Sequence, residues 1–328
     1  MKAFEYAAPS TKEQAVALLG DRWEEAAILA GGTDLLSCMK DNLMAPSRVV
    51  DIKGLRDLGG IEYNPQSGLR LGALVTFEQL REHPQVLSRY PGIVQAVEGV
   101  TSAQIRNRGS VGGDLNQRPR CWYYRNGFGL LAKDEQGRSL VVDGENRYHA
   151  ILGNEGPAYF VNPSSLAPVL IALGARVRLF GPKGGRELPL EKFFTIPKTD
   201  SEHENVLQPN EILTEVLIPA GSWQTATYEV RQKEALDWPL AAASVALKLG
   251  GAQVQEARVV LGHVAPIPWR VPEAEKILTR KTITEEIAME AGKAAVGQAR
   301  PLSQNGYKVQ LARVAVKRAL LRAVQGGA

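Results

Sequence analysis

Two short glycine-rich segments constrain the fold of this chain more than any other feature. The first reads AGGTDLL over residues 30–36, and the second reads SVGGDL over residues 110–115. Because glycine lacks a Cβ, each Gly-Gly pair can turn successive backbone N–H groups toward one anion. A single pair more often ends a strand or caps a helix. Two segments of the same design, each with a hydroxyl and a carboxylate beside the glycines, predict a clamp for a ligand with two phosphates.

The usual phosphate-binding fingerprints are absent from the sequence. Neither segment reads G-x-G-x-x-G, and G-x-x-x-x-G-K followed by Ser or Thr does not occur in the chain. The first pattern marks the dinucleotide-binding Rossmann fold and the second marks the P-loop. The sequence therefore argues against both folds and predicts another phosphate-binding geometry.

Length and charge limit the class of protein. The chain has 328 residues, enough for two or three domains that each have a core. Its 39 basic and 35 acidic residues give a net charge of +4, which is too balanced to predict nucleic-acid binding. A C-terminal run of cations predicts a solvated helix face, with a docking surface for an acidic partner as the alternative. The run comprises Lys308, Arg313, Lys317, Arg318 and Arg322.

Few residues of this chain are suited to binding a metal. Two cysteines, Cys38 and Cys121, are too few for a disulfide framework, a zinc site or a complete iron-sulfur cluster. The four histidines lack ligand spacing, so we expect no metal site. The N-terminus has no signal-peptide pattern, and no apolar run is long enough to span a membrane. We therefore expect a cytoplasmic protein, with export inside a folded complex left open.

Hydrophobic periodicity predicts a mixture of helices and strands. Helices at residues 11–19 and 35–43 alternate with strands at 26–30 and 48–52, which indicates a small α/β unit. A Pro/Gly break predicts a domain boundary near residues 220–221. Further strands are predicted at 61–63, 69–71, 158–161, 175–180, 211–218 and 228–231, and a hairpin at 252–264. Further helices are predicted at 77–82, 92–104, 166–173, 240–247, 271–278, 284–295 and 310–324.

The order of several motifs resembles a known family. They are AGGTDLL at residues 30–36, IRN at 105–107, SVGGD at 110–114, PSSLAP at 163–168, DWPLAAAS at 237–244 and GHVAP at 262–266. Together they resemble the FAD-binding medium subunit of molybdenum hydroxylases, a family that includes xanthine dehydrogenase, carbon monoxide dehydrogenase and aldehyde oxidoreductases. Each motif is weak alone, but their order and spacing cover almost the whole chain.

The resemblance implies an α+β fold with two domains. The first is a two-lobed FAD-binding domain of the PCMH type, similar to vanillyl-alcohol oxidase, expected over residues 1–220. Its lobes are expected at about 1–55 and 56–220, with an insert at about 117–157. The second is a smaller α+β domain at 221–328, of the carbon monoxide dehydrogenase flavoprotein C-terminal type.

The resemblance also implies which residues bind FAD. In the family, both glycine segments hold the FAD pyrophosphate through backbone N–H groups. Asp237 matches a position near the isoalloxazine ring, where a carboxylate could accept a hydrogen bond from flavin N3–H; a loop cap is the alternative. No catalytic residue is expected. The expected FAD-binding residues are Ala30, Gly31, Gly32, Thr33, Asp34, Leu35, Gly72, Ala73, Thr76, Arg106, Asn107, Ser110, Gly112, Gly113, Asp114, Ser165, Leu166 and Asp237.

Three departures from the family pattern affect the expected site. Asp114 stands where the family usually has Asn, and a carboxylate beside a diphosphate would repel it unless something compensates. We therefore expect Asp114→Asn to bind FAD equally or more tightly. Ser165 stands where an Asp is common, and residues 301–306 lack a charged pair. FAD affinity is thus expected to be lower than typical or tuned by other contacts. Asp34 is expected to cap the helix that follows it.

Residues 116–125 and 144–150 resemble family members that carry an insert after the second glycine segment. In several of these, cysteines of the insert bind an additional [4Fe-4S] cluster, which usually needs four thiolates. Here the insert holds only Cys121. We expect no iron-sulfur cluster in this chain, and we expect the aromatic residues of the insert to pack a small core.

The resemblance implies a subunit that transfers electrons through FAD to an external acceptor. A large partner subunit would hold the molybdenum cofactor and a small one would carry [2Fe-2S] clusters, with a dimer of such heterotrimers as one expected assembly. The alternative is a scaffold subunit with a degenerate flavin site. A free-standing flavin oxidase of the vanillyl-alcohol type is a third interpretation, weakened by the lack of a candidate base. The sequence names neither the substrate nor the acceptor.

Overall fold

The computed structural model describes residues 1–326, which begin with a small parallel sheet. Its three strands pair in the order β1-β3-β2, as Glu5–Ala7 (β1), Ala26–Leu29 (β2) and Arg48–Asp51 (β3). Helix α1 (Lys12–Leu18) connects β1 to β2, and helix α2 (Leu35–Lys40) connects β2 to β3. The predicted N-terminal α/β unit is confirmed. The first glycine segment is the turn between β2 and α2.

A second sheet has five antiparallel strands in the order β4-β5-β8-β6-β7. The β4–β5 hairpin closes around the Asn-Pro-Gln-Ser-Gly turn that the sequence predicted. The chain leaves this sheet after β5 and returns to it at β6, and the second glycine segment lies on that excursion. The strands are Ile61–Asn64 (β4), Gly68–Gly72 (β5), Arg176–Gly181 (β6), Gly184–Pro189 (β7) and Ile212–Ile218 (β8).

Short helices fill the excursion between β5 and β6. Helix α3 has the predicted bounds because Thr76 and Gln79 form a capping box at its start. The predicted single helix at 92–104 is wrong, since Ser102 accepts a hydrogen bond from the N–H of Ile105 and begins a new helix. The helices are Phe77–Glu82 (α3), Pro84–Arg89 (α4), Pro91–Glu98 (α5), Ala103–Arg108 (α6), Val111–Asn116 (α7), Trp122–Arg125 (α8) and Ala167–Ala172 (α9).

The C-terminal part is a four-stranded antiparallel sheet, in the order β12-β11-β10-β9, covered by three helices. Among residues 1–326, no helix is both long and apolar enough to cross a lipid bilayer. The strands are Gln224–Val230 (β9), Ala241–Gly250 (β10), Gln253–Gly262 (β11) and Trp269–Arg270 (β12). The helices are Pro272–Leu278 (α10), Glu285–Ala295 (α11) and Tyr307–Val324 (α12).

Three predictions of secondary structure fail between residues 158 and 264. Residues 240–247 form strand β10 instead of a helix, because α9 and α12 cover opposite faces of the strand and leave it apolar on both. Such a run has no period of two, so periodicity cannot separate it from a buried helix. The predicted hairpin at 252–264 is the single strand β11, paired with β10 and β12. Residues 158–161 form no strand.

One hydrophobic core joins the second sheet to the C-terminal sheet. Val177 and Val216 of the second sheet, Leu170 of α9, and Ala246 and Val260 of the C-terminal sheet belong to the same buried cluster. Helix α9 therefore packs between the two sheets. This shared core fixes the C-terminal sheet against the helices that carry the second glycine segment.

The insert is fastened to the C-terminal helix α12 by buried polar groups. The ammonium of Lys308 donates to the carbonyl oxygens of Tyr148 (3.1 Å), His149 (3.1 Å) and His263 (2.8 Å). Asn305 also donates to the carbonyl of His149. The segment that lacks the family's charged pair thus holds the insert instead. The predicted solvated face is wrong for Lys308, which is only 1% exposed.

We expect Lys308→Met to lower the free energy of unfolding by about 2–3 kcal/mol, because three buried carbonyls lose their donor. Burial lowers the pKa of Lys308 to about 7. The unfolded chain therefore holds this proton at higher pH than the folded one, so this group makes the wild type more stable as pH rises from about 7 to 10. Urea unfolding at several pH values measures both effects. A difference between wild type and variant that is constant over that range would contradict the account.

Candidate functional site

A cavity of about 820 Å³ lies where the N-terminal sheet, the short helices and the C-terminal domain meet. This volume is in the upper part of the range typical of ligand sites. Both glycine segments contribute to its wall, together with aromatic side chains that include Trp23, Tyr124 and Trp238. The cavity is therefore large enough for an extended ligand and is built around the two segments that the sequence singled out.

The first glycine segment presents unpaired donors in the wall of this cavity. Within the described chain, the backbone N–H groups of residues 31–35 have no hydrogen-bond acceptor. A Cβ on Gly31 would lie 1.7 Å from the carbonyl oxygen of Arg108, so only glycine fits where this segment meets the end of α6. Gly32 has a φ of +75°, a conformation that other residues rarely adopt. The segment is thus a preformed donor cradle for an anion.

The second glycine segment is arranged differently. The N–H of Gly112 donates to the carbonyl of Ala73 at 2.8 Å, and the N–H of Gly113 donates to the hydroxyl of Ser110 at 3.2 Å. Ser110 is the N-cap of α7. Most donors of this segment are therefore used within the protein. Its glycines allow the start of α7 to pack closely against Ala73. A Cβ added to Gly112 would lie only 3.0 Å from the Cβ of Ala73.

Most of the residues expected to bind FAD lie in the cavity wall. The wall includes Ala30, Gly31, Gly32, Thr33, Asp34, Leu35, Ala73, Ser110, Gly112, Gly113, Asp114, Ser165 and Asp237. Five expected residues lie outside it, namely Gly72, Thr76, Arg106, Asn107 and Leu166.

The two polar residues of α6 make contacts of their own. Arg106 forms an ion pair with Glu78 at 2.8 Å and donates to the carbonyl of Val100, while Asn107 donates to the carbonyl of Ala103. Groups of the surrounding helices therefore hold both side chains in place. A binding role for either residue therefore remains only a prediction.

Asp34 does not cap α2, because its carboxylate makes no hydrogen bond to the start of that helix. Instead it pairs with Arg120 at 2.7 Å and Arg125 at 2.9 Å, and it accepts from the backbone N–H of Arg118 at 2.7 Å. The predicted capping role is wrong, because the insert supplies stronger charged partners. The carboxylate is thus neutralised, and it ties the first glycine segment to the insert.

Asp114 is buried and its carboxylate is used to hold the start of α9. It accepts from the hydroxyl of Ser164, from the N–H of Leu166 at 3.1 Å, and from the side chain of Gln117 at 2.9 Å. Burial raises the pKa of Asp114 to about 6, and these hydrogen bonds act in the opposite direction. The sequence did not predict this structural role. The protein itself compensates the charge that seemed unfavourable beside a diphosphate.

We expect Asp114→Asn to bind FAD at least as tightly as the wild type, since one amide oxygen can still accept from Ser164 and Leu166. Asp114→Ala leaves those buried donors unpaired and should lower the free energy of unfolding by about 2–3 kcal/mol. FAD titration and urea unfolding of both variants test this. An Asn variant as unstable as the Ala variant would show that the negative charge itself is required.

Asp237 accepts hydrogen bonds from the backbone N–H groups of Lys233 at 2.9 Å and Trp238 at 3.0 Å. These contacts are those of a loop cap, the alternative interpretation from the sequence. Because the residue also lies in the cavity wall, a ligand contact stays a prediction. The loop that it closes carries Trp238 to the cavity.

The sequence-based prediction missed the arginines of the insert. Arg118 pairs with Glu204 at 2.9 Å and donates to Nδ1 of His203 at 2.8 Å. Burial, with Arg118 close by, lowers the pKa of His203 to about 4, so the ring is neutral and accepts this bond. The ring of Trp23 stacks on His203 with centroids 4.2 Å apart. Three arginines stand close together in RPRCWYYR at residues 118–125. Their role could not be predicted, because their partners lie far away in the chain.

The cavity fits a flavin dinucleotide better than a metal. Free backbone donors at residues 31–35 suit a diphosphate, and the aromatic and apolar wall suits ring systems. Within residues 1–326, no group of three or more His, Cys, Asp or Glu side chains is placed to hold a metal ion. The residues present therefore fit FAD.

Two protein families match consecutive parts of this chain. The FAD binding domain in molybdopterin dehydrogenase matches residues 2–221, and the CO dehydrogenase flavoprotein C-terminal domain matches residues 226–323. The chain is 31% identical to the aldehyde oxidoreductase FAD-binding subunit PaoB of Escherichia coli (strain K12), over 95% of this chain and 96% of that protein. It is 30% identical to the carbon monoxide dehydrogenase medium chain of Hydrogenophaga pseudoflava, over 97% of this chain and 96% of that protein.

Solved structures agree with these sequence matches. Carbon monoxide dehydrogenase from Hydrogenophaga pseudoflava, in a form that lacks the Mo-pyranopterin moiety of the molybdenum cofactor, superposes with a TM-score of 0.77 at 29% identity. That match covers 99% of this chain and 98% of the other. The two-domain α+β fold implied by the sequence is confirmed. The chain belongs to the family of FAD-binding medium subunits of the molybdenum hydroxylases.

Proposed function

We propose that this chain passes electrons from [2Fe-2S] clusters of a small partner subunit to an external acceptor, with bound FAD as the carrier. A large partner subunit would hold the molybdenum cofactor and oxidise the substrate, and a dimer of such heterotrimers is the proposed assembly. The similarity to medium chains of carbon monoxide dehydrogenase supports these partners. We further propose that the complex works in the cytoplasm.

The observation that carries this proposal is the row of unpaired N–H groups at residues 31–35 in the cavity wall. Residues 31–35 are exposed or half-buried, so a ligand in the cavity can reach donors that no described group of the protein satisfies. Residues 31–35 would hold the diphosphate of FAD. Ser110, Gly112 and Gly113 would shape the opposite wall. The side chains of this chain provide the binding and the orientation, while the redox chemistry is that of the cofactor.

A scaffold subunit with a degenerate flavin site is the competing function. The departures at Asp114 and Ser165 suggested it, but in the structure the carboxylate of Asp114 accepts hydrogen bonds from Ser164 and Leu166. The first glycine segment also keeps the close contact between Gly31 and Arg108 that only glycine permits. Both observations favour a site that can hold its ligand.

The assembled complex separates the two functions. We would purify it with wild-type chain and with Gly32→Val, whose φ of +75° makes any side chain unfavourable. Size-exclusion chromatography shows whether the complex stays intact, and acceptor reduction is measured with substrate present. We expect an intact complex that no longer reduces the acceptor. Unchanged acceptor reduction in a variant without FAD would favour the scaffold.

A further inference from the structure

Three arginines of the insert surround Asp34, but they use their hydrogen-bond donors very differently. A guanidinium carries five N–H bonds. Arg125 uses most of them, because it donates to the carbonyls of Pro119 and Arg118, to the sulfur of Cys38 and to Asp34. Its side chain does not belong to the cavity wall. Arg125 is therefore a structural residue whose donors are already engaged.

Several hydrogen-bond donors of Arg120 have no acceptor in the described part of the protein. Within residues 1–326 its terminal nitrogens contact only Asp34, at 2.7 Å, and the side-chain oxygen of Gln117, at 2.9 Å. Its buried Nε has no acceptor. The side chain is 25% exposed and belongs to the cavity wall. A guanidinium with this many unused donors beside a cavity is suited to bind an anion there.

The position of Arg120 is fixed on two sides. Its guanidinium stacks on the ring of Trp238 at 4.7 Å from the ring centre, which leaves the donors at its edge free. The ion pair with Asp34 holds it beside the first glycine segment. The backbone N–H of Asp34 is itself one of the unpaired donors at residues 31–35. An anion bound by that segment would therefore lie close to Arg120.

The carboxylates of the cavity wall do not cancel this cation at the glycine segment. Glu24, Asp200 and Glu202 are exposed. Asp237 accepts from the backbone N–H groups of Lys233 and Trp238. Asp34 is shared between Arg120 and Arg125, and Asp114 is occupied by the start of α9. This part of the cavity wall thus combines backbone donors with a guanidinium that is incompletely paired.

We propose that Arg120 of the insert binds the diphosphate of FAD directly, adding a side-chain cation to the backbone cradle at residues 31–35. The inference rests on the proposed FAD-binding function. It gives the insert a role in cofactor binding that does not need a metal cluster. It also identifies the contact that offsets the weaker features of the site, such as Ser165.

The test compares Arg120→Gln with Arg125→Gln in the full-length chain. Both variants lose one ion pair to Asp34, but only the first loses a cation from the cavity wall. Affinity is measured by quenching of flavin fluorescence, with FAD and with riboflavin, which lacks phosphate. We expect Arg120→Gln to bind FAD about 10- to 30-fold more weakly and riboflavin unchanged. Arg125→Gln should bind FAD within about threefold of the wild type, because Arg125 lies outside the cavity wall.

Each other outcome has a distinct meaning. Equal losses of FAD affinity in both variants would overturn the inference, because Arg120 would then act only by holding Asp34. An equal loss for riboflavin would also overturn it, since the contact would then lie at the flavin ring. A wild-type chain that binds no FAD would instead refute the proposed function. Circular dichroism of both variants shows that any loss of affinity is not a loss of fold.

Discussion

Gly31→Ala is expected to weaken FAD binding by about ten- to a hundredfold, which corresponds to the 1–3 kcal/mol typical of forcing an added methyl group into a packed site. The added Cβ would lie 1.7 Å from the carbonyl oxygen of Arg108, and a backbone atom cannot turn aside as a side chain can. The first glycine segment must therefore move away from the end of α6. Fluorescence titration with FAD measures the loss.

Gly54→Ala is the matched control for this prediction. A Cβ on Gly54 meets no atom within 4 Å, so the substitution adds the same methyl group without a contact. Its FAD affinity should equal that of the wild type. If Gly31→Ala bound FAD as tightly as Gly54→Ala, the close contact between the first glycine segment and the end of α6 would have no part in holding the cofactor.

Asp34→Ala is expected to lower the free energy of unfolding by about 3 kcal/mol. The substitution removes the carboxylate between Arg120 and Arg125, both largely buried, and leaves two guanidinium groups facing each other. Removing one member of a buried ion pair is costly because the remaining charge stays desolvated. The backbone N–H of Arg118 also loses its acceptor. Urea unfolding of the full-length chain measures the change.

Asp34→Asn distinguishes charge from hydrogen bonding in this cluster. The amide keeps an oxygen for the N–H of Arg118 but carries no charge for the arginines. We expect the free energy of unfolding of Asp34→Asn to lie between that of the wild type and that of Asp34→Ala. An Ala variant within 0.5 kcal/mol of the wild type, about the range of ordinary surface substitutions, would mean that solvent compensates the arginines and that the cluster does not stabilise the fold.

The sequence was enough to predict an element where the capping residues and the hydrophobic periodicity of that element lie within it. Helix α3 has the predicted bounds because Thr76 and Gln79 are close in the chain and cap it together. Strand β10 was mistaken for a helix because helices from distant parts of the chain cover both of its faces. Periodicity reports only one-sided burial, so such a strand has no local signal.

The roles of the charged residues in the site also depend on partners that are distant in the chain. The two glycine segments could be recognised from residue types alone, and the structure places both in the wall of one cavity. The partners of Asp34 and Asp114 lie far away in the chain, in the insert and at the start of α9. A carboxylate in a glycine segment looks unfavourable for an anion until those partners are known. Only the fold shows that Asp34 is paired with arginines and that Asp114 is held by hydrogen bonds.

The insert is where the sequence pattern was least informative. Its single cysteine, Cys121, lies 3.2 Å from Nε2 of His149, and its aromatic rings pack against each other and against that histidine. The rings contact each other as predicted, but only Tyr124 belongs to a buried cluster and Tyr148 is exposed. The position of its arginines beside the cavity had no local signature, because it depends on how Lys308 and Asn305 fasten the insert to α12.

The stoichiometry of FAD in the purified full-length chain tests the central claim most directly. We would saturate the chain with FAD, remove the unbound cofactor by gel filtration, and determine flavin and protein in the same sample. The account predicts one FAD per chain for the wild type and a clearly lower content for Gly31→Ala. A wild-type chain that retains no flavin, or a Gly31→Ala chain that retains as much as the wild type, would contradict it.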